Sequence, residues 1–226
     1  MRRPWLLLLC VATVTGCERA TIDPVDQALR RVTTALESGQ IRASTLLNDT
    51  RFVTLKEDPA TRSAIRELVR TNATESDVLM IADAEPGERL TLRIRIEDER
   101  TDALCPDAVV SVVQVDATGY YRPFGEVDTW NPRLFATALT GDDGAVIFRT
   151  IRPVHYGPAY DADDEPAHVH FDIRVEGYRP YDSEIWFEGD PRITVELKGR
   201  SPTATLRRAT DGTWDAEVSI PVQPIG

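Results

Sequence analysis

The chain has 226 residues, with 37 acidic against 26 basic side chains and a formal net charge of −11 at pH 7. A surface this acidic repels phosphate backbones, which excludes nucleic acid as a partner. The acids are spread along the chain and not gathered into a tail, so they read as a solvated face.

The first segment is Met1-Arg-Arg-Pro, then an apolar run from Trp5 to Val14, then Val14-Thr-Gly-Cys17. A charged start, a short apolar stretch and small residues before a cleavage point make residues 1–16 a signal peptide. The run is too short to span a bilayer as a helix. A cysteine directly after the small residues reads as a lipobox, so Cys17 is the expected lipidation site and the membrane a partner through that anchor. An ordinary secretory signal with an incidental cysteine is the competing reading. The expected location is the cell envelope, at the outer membrane if the host is Gram-negative. Cys10 lies in the discarded segment, which leaves Cys105 as the one free thiol and no intrachain disulfide.

Residues 17–82 read as a helical section. Asp23-Pro24 puts a capping side chain ahead of a proline at the first helical position, and Val25, Ala28, Leu29, Val32, Ala35 and Leu36 follow at helical spacing. Ser38-Gly39 offers a stop. Asp58-Pro59 repeats the device before Ala64, Ile65, Leu68 and Val69. Two such helices bury too little surface to stand alone, so they either pack on the main domain or act as a spacer above the membrane.

Residues 83–226 read as a β-sandwich. Leu90, Leu92, Ile94 and Ile96 alternate with polar residues, and Ala108–Val115 is nearly continuous apolar. Further strands are expected at Val146–Arg149, His168–Val175, Ser183–Phe187, Ile193–Leu197, Thr203–Arg207 and Ala216–Ile220. Asp211-Gly212 supplies a tight turn between the last two. The segment from Arg122 to Leu134, with Phe124, Trp130 and two prolines, is the least regular. It is read as a substrate wall or as a packed surface loop.

Chemistry concentrates in Pro166-Ala-His-Val-His-Phe171. On a strand, His168 and His170 share one face while Val169, Phe171, Ile173 and Val175 line the other. Two imidazoles at i, i+2 are half of a metal site. Tyrosines stand where loops leave strands, after Asp116-Ala-Thr-Gly119 and after Thr150-Ile-Arg-Pro153. Two imidazoles with two phenolates suit a hard, highly charged ion such as Fe(III), because only a strong Lewis acid deprotonates a group whose ordinary pKa is about 10.

From roughly Leu90 to Pro191 the chain resembles the intradiol ring-cleavage dioxygenases, typified by protocatechuate and catechol dioxygenases. The matching pieces, in the family's order, are Val112-Val-Gln-Val-Asp-Ala-Thr-Gly-Tyr-Tyr121, Thr140-Gly-Asp-Asp-Gly144, Phe148-Arg-Thr-Ile-Arg-Pro153, Pro166–Phe171 and Trp186-Phe-Glu-Gly-Asp190. The resemblance implies an Fe(III) cofactor held by Tyr121, Tyr156, His168 and His170, with a catechol and O2 as substrates. Tyr156 is then the tyrosinate displaced when substrate arrives. Tyr120 competes with Tyr121, and His155 and Tyr160 compete with Tyr156. Spacing favours Tyr121 and Tyr156. The helical section serves dimer contacts in cytosolic members, so the resemblance leaves room for a homo-oligomer.

Two positions depart from the family. Glu165 stands where an arginine usually precedes Pro-Ala-His, and Glu184 stands where a glutamine is frequent. Carboxylates beside an anionic catecholate raise the barrier unless something compensates. Arg152, Arg122 and Arg179 are candidates to reach in, and Arg152 joins Tyr156, Glu165 and Glu184 in the expected catalytic set. Alternatively, the carboxyls are protonated or suit a cationic or hydroxyl-rich substrate. Beside the dioxygenase reading stand a metal- or ligand-binding module without ring cleavage and a purely structural lipoprotein.

Overall fold

A computed structural model describes residues 24–122, 131–158, 160, 162 and 164–226. Four helices, α1 (Pro24–Glu37), α2 (Thr45–Asn48), α3 (Val53–Glu57) and α4 (Pro59–Thr71), precede nine strands. These are β1 (Asp77–Leu79), β2 (Arg89–Asp98), β3 (Val109–Gln114), β4 (Leu134–Leu139), β5 (Ala145–Ile151), β6 (His168–Arg174), β7 (Tyr181–Phe187), β8 (Thr203–Arg208) and β9 (Trp214–Val222). Among the described residues no helix is long and apolar enough to cross a membrane. Cys17 lies outside the described residues.

The strands form one sheet in the order β1-β5-β2-β9-β8-β7-β6-β3-β4. The expected sandwich is therefore a single, nearly closed sheet. β8 makes the corner, running parallel to β7 through Trp186–Thr203 and Phe187–Ala204 and antiparallel to β9 from Thr205 onward. The two ends approach each other, and the Leu139 N–H donates to the Glu75 carbonyl at 2.9 Å. Inside, the alternating faces of β2 (Leu90, Leu92, Ile94, Ile96) meet Val110 and Val112 of β3 and Val169, Phe171 and Ile173 of β6, all buried. The two-faced reading of β6 holds.

The helices pack on this core. Leu46 and Leu47 of α2 and Ile65 and Val69 of α4 are buried in the same cluster as the strands. Asp58 caps α4, accepting the Ala60 N–H at 3.1 Å, with Pro59 at the first helical position. Arg62 is fully buried and spends its guanidinium on three carbonyls, those of Lys56 (2.7 Å), Glu57 (2.5 Å) and Asn131 (3.0 Å). That ties α3 and α4 to the segment leading into β4.

Several expectations change. β1 belongs to the sheet although it precedes residue 83, pairing parallel with β5. β4 was hidden because α4 covers its outer side, so five of its six residues are buried and its alternation is erased. Residues 193–197, expected as a strand, form turns: the Leu197 and Lys198 N–H groups both return to the Thr194 carbonyl at 3.2 Å. Val195 is 78% exposed there, so it has no apolar face to pair against. The Asp211-Gly212 turn joins β8 and β9 as expected, with Gly212 at φ +87°.

Candidate metal centre

Two loops and one strand build the site. The first loop follows β3. Asp116 Oδ1 accepts the Thr118 N–H at 2.8 Å and the Gly119 N–H returns to the Asp116 carbonyl at 3.0 Å, a tight turn that aims Tyr121 inward. The Arg133 N–H then holds the Tyr121 carbonyl at 2.7 Å, while the half-buried Arg133 guanidinium pairs with Glu85 at 2.5 Å. The second loop follows β5 and carries His155, Tyr156 and Gly157. The loops lie back to back, with the Gly157 N–H donating to the Gly119 carbonyl at 3.0 Å. Gly119 sits at φ +84°, and a Cβ there would lie 2.5 Å from Gly157 N and the His155 carbonyl oxygen. No other residue fits.

Against these loops β6 presents its histidines. The Tyr156 hydroxyl lies 3.0 Å from that of Tyr121, 2.8 Å from His168 Nε2 and 3.4 Å from His170 Nε2, and the two Nε2 atoms are 3.2 Å apart. Donors about 2.0 Å from a shared tetrahedral centre stand roughly 3.3 Å from one another. The spacing fits a single ion held by Tyr121, Tyr156, His168 and His170. His168 Nδ1 donates to the Pro166 carbonyl at 2.7 Å, which leaves the Nε2 lone pair facing the cluster.

The competing tyrosines are accounted for. A Cβ on Gly157 would collide with the Tyr120 ring, so Tyr120 lies against the second loop. Tyr160 stacks on Tyr156 with ring centroids 4.6 Å apart, and its hydroxyl faces the Tyr121 N–H at 3.4 Å. With Val115 and Tyr121 it forms a small buried cluster separate from the main core.

Electrostatically, Tyr121, Tyr156 and His170 are all pushed toward their uncharged forms. Burial and the hydrogen bond to Tyr156 push the Tyr121 hydroxyl far above the ordinary phenol range, and burial pushes Tyr156 up to about 12. Burial and the neighbouring His168 pull His170 down to about 4. At neutral pH the cluster holds two phenols and an uncharged His170 imidazole, so tyrosinate forms only when a cation supplies the compensating charge.

Glu165 and Glu184 come together beside this cluster. β7 pairs Glu184 with His170, and Glu184 Oε1 is 3.5 Å from His170 Nδ1 and 3.9 Å from His168 Nε2. His168, His170 and Glu184 thus also form a group able to hold a metal ion. Burial, and then the charge of Glu184, raise the pKa of Glu165. Arg152 is a correction. Its guanidinium stacks over Trp214 at 4.6 Å and reaches Glu88 at 3.3 Å, because the strand leads it out to a β9 aromatic and an exposed acid. Of the expected substrate wall, residues 123–130, including Phe124 and Trp130, lie outside the described residues.

Sequence reasoning missed Asp190. Its buried carboxylate accepts the Ala167 N–H at 3.0 Å and the Arg192 N–H at 2.9 Å, and it contacts His155 Nε2 at 2.9 Å. It binds the chain one residue before Tyr156 and one residue before His168. The signal was present in Trp186-Phe-Glu-Gly-Asp190, but an aspartate after glycine in a loop also reads as ordinary turn chemistry.

A family model described as Dioxygenase (Dioxygenase_C) matches residues 65–203, more than half of the chain. The chain is 30% identical over 122 residues to a chlorocatechol 1,2-dioxygenase of Rhodococcus opacus, covering 48% of this chain and 47% of that protein. To catechol 1,2-dioxygenase 1 of Acinetobacter lwoffii it is 34% identical over 101 residues, covering 38% and 32%. The chain therefore spans about half or less of the length of these relatives. Its fold is similar to that of 3-chlorocatechol 1,2-dioxygenase from Rhodococcus opacus 1CP, with a TM-score of 0.53 at 19% identity over 89% of this chain and 90% of that one. It is also similar to an intradiol ring-cleavage dioxygenase from Tetranychus urticae, with a TM-score of 0.51 at 17% identity over 68% and 88%. With the family match covering both tyrosine loops and the histidine strand, the chain belongs to the intradiol dioxygenase family.

Proposed function

We propose that this protein is a non-haem Fe(III) dioxygenase that opens a catechol-type ring between its two hydroxylated carbons. Both atoms of O2 enter the product, a muconate-type diacid. The observation that carries the reading is the convergence of Tyr121, Tyr156, His168 and His170 at spacings a single ion accepts. When bound, Fe(III) supplies the Lewis acidity that holds a catechol as its dianion and makes the ring reactive toward O2. The chain's residues do the rest. Tyr121, the more deeply buried phenol, stays in place. Tyr156, carried by the loop after β5, would swing away to take a catechol proton on its oxygen. The histidines stay fixed by the sheet. The stacked ring of Tyr160 and the buried Val115 keep water from the Tyr121 side.

The signal segment and Cys17 support a site of action outside the cytoplasm, on a lipid-anchored protein. The direct test is iron loading of the full chain followed by oxygen uptake with catechol and detection of the diacid by its ultraviolet absorbance. Stoichiometric O2 consumption with diacid formation is the expected result. An iron-loaded protein that binds catechol without consuming O2 supports the second reading, a metal- or ligand-binding lipoprotein. Glu165 and Glu184, where the family has a cation and an amide, favour that reading. Failure to hold iron rules out the dioxygenase reading.

A further inference from the structure

Glu165 and Glu184 meet at the edge of the donor cluster, one just before β6 and the other on β7. Glu184 Oε1 is 3.9 Å from His168 Nε2, the same nitrogen that lies 2.8 Å from the Tyr156 hydroxyl. The same oxygen is 3.5 Å from His170 Nδ1, so the carboxylate borders both histidines beside the donor cluster. The Trp186 indole N–H donates to Glu184 Oε2 at 3.1 Å and fixes its orientation. Burial and then the neighbouring charge of Glu184 raise the pKa of the Glu165 carboxyl. Among the described residues no lysine or arginine forms an ion pair with either carboxyl. Arg192, which approaches this segment, donates to the backbone carbonyl of Glu165 at 3.0 Å.

Two neighbouring carboxyl groups, partly out of water and with no lysine or arginine ion pair among the described residues, favour a ligand that brings positive charge. The ligand's position is fixed independently, by the four donors and not by the acids. Resting on the reading that a catechol binds at those donors, we propose that Glu165 and Glu184 are specificity-determining residues. They select catechols carrying a cationic substituent, such as a protonated aminoalkyl group, over those carrying a carboxylate. A cationic substituent at the ring edge meets both oxygens of this wall, whereas a carboxylate there meets like charge.

Three probes of similar shape test this: 4-(2-aminoethyl)catechol, 4-ethylcatechol and 3,4-dihydroxyphenylacetate. Each is titrated into the full chain loaded with Fe(III), under argon, and its Kd is read from the visible catecholate-to-iron band. The expected order has the aminoethyl compound at least tenfold tighter than the ethyl compound, and the acetate at least tenfold weaker. Glu165→Gln and Glu184→Gln should each compress the aminoethyl-to-acetate ratio by tenfold or more, and raising the salt should compress it in the wild type. If all three probes give bands and bind the wild type within threefold of one another, the inference is overturned while the metal-site reading stands. If no probe gives a band, the metal-site reading falls and takes the inference with it. Two variants guard against one failing to fold.

Discussion

Asp190 contacts His155 Nε2 at 2.9 Å and at the same time accepts the Ala167 N–H at 3.0 Å, so one buried carboxylate sets the distance between the Tyr156 loop and the histidine strand. Asp190→Asn replaces one acceptor oxygen by a donor that must face an N–H. Losing such a partner in a buried network costs about 1–3 kcal/mol. The expected outcome is a lower Tm together with at least tenfold weaker iron binding and a shifted tyrosinate-to-iron band. A lower Tm with the band and the iron affinity unchanged would confine Asp190 to a structural role.

Tyr121→Phe should remove roughly half of the visible absorption of the iron-loaded protein, because it deletes one of two phenolates. Tyr120→Phe should leave that absorption largely intact, since Tyr120 packs on Gly157. Absorption spectra at equal iron content decide the matter, and the reverse pattern would exchange the two roles.

The two uncharged phenols have a pH signature. Both phenols lie above their ordinary value, so binding to tyrosinates releases two protons, and the apparent Fe(III) affinity should climb by up to two decades per pH unit in a buffer of fixed metal-chelator competition. His170 acts in the same sense on the metal-free fold. Its folded pKa of about 4 lies below its ordinary 6.5, so the unfolded chain binds the extra proton. The contribution is complete above pH 6.5 and is lost as the pH falls toward 4. Thermal melts of wild type and His170→Asn should therefore converge as the pH drops through that window.

Gly119→Ala should damage the site from a distance. The new Cβ would lie 2.5 Å from backbone atoms of Gly157 and His155, in a conformation that already disfavours side chains. A cost of at least ~2 kcal/mol follows, and for a chain of this size each kcal/mol lowers Tm by about 2–4 °C. Iron binding should weaken as well, because the loops separate where they carry Tyr121 and Tyr156. A variant that melts and binds like wild type would show that the loops can slide apart freely.

Cys17→Ser tests the anchor. The variant should appear in the soluble fraction or remain unprocessed, whereas the wild type sediments with membranes and yields a lipid-modified N-terminal peptide by mass spectrometry. A processed variant still bound to membranes would refute lipidation at that residue.

The site was more legible in the sequence than the sheet around it. The i, i+2 histidines announce themselves because strand geometry forces them onto one face, and the paired tyrosines follow recognisable turns. What the four donors need from the rest of the fold was less visible. β4 is covered on its outer side by α4, which removes the alternation that marks a strand. β1 is only three residues long and leans on β5. Arg152 carries a charge suited to the site, yet side-chain direction depends on the Trp214 ring that β9 brings beside it from more than sixty positions away. Asp190 acts through backbone N–H groups, and those leave no trace in residue identity.

Tyr121 and Tyr156 are 35 positions apart in the chain, and Tyr156 and His168 are 12 apart, yet their polar atoms touch. An ion shared among them would cross-link the chain as a disulfide does, and closing a loop of this size restricts the unfolded chain by on the order of 3 kcal/mol. After residue 17 the sequence holds a single cysteine, so no covalent bridge within that part of the chain can do this. Iron would then be a fastener as well as a reagent. Scavenging it from the protein's surroundings would shorten the lifetime of the fold before any substrate was in short supply.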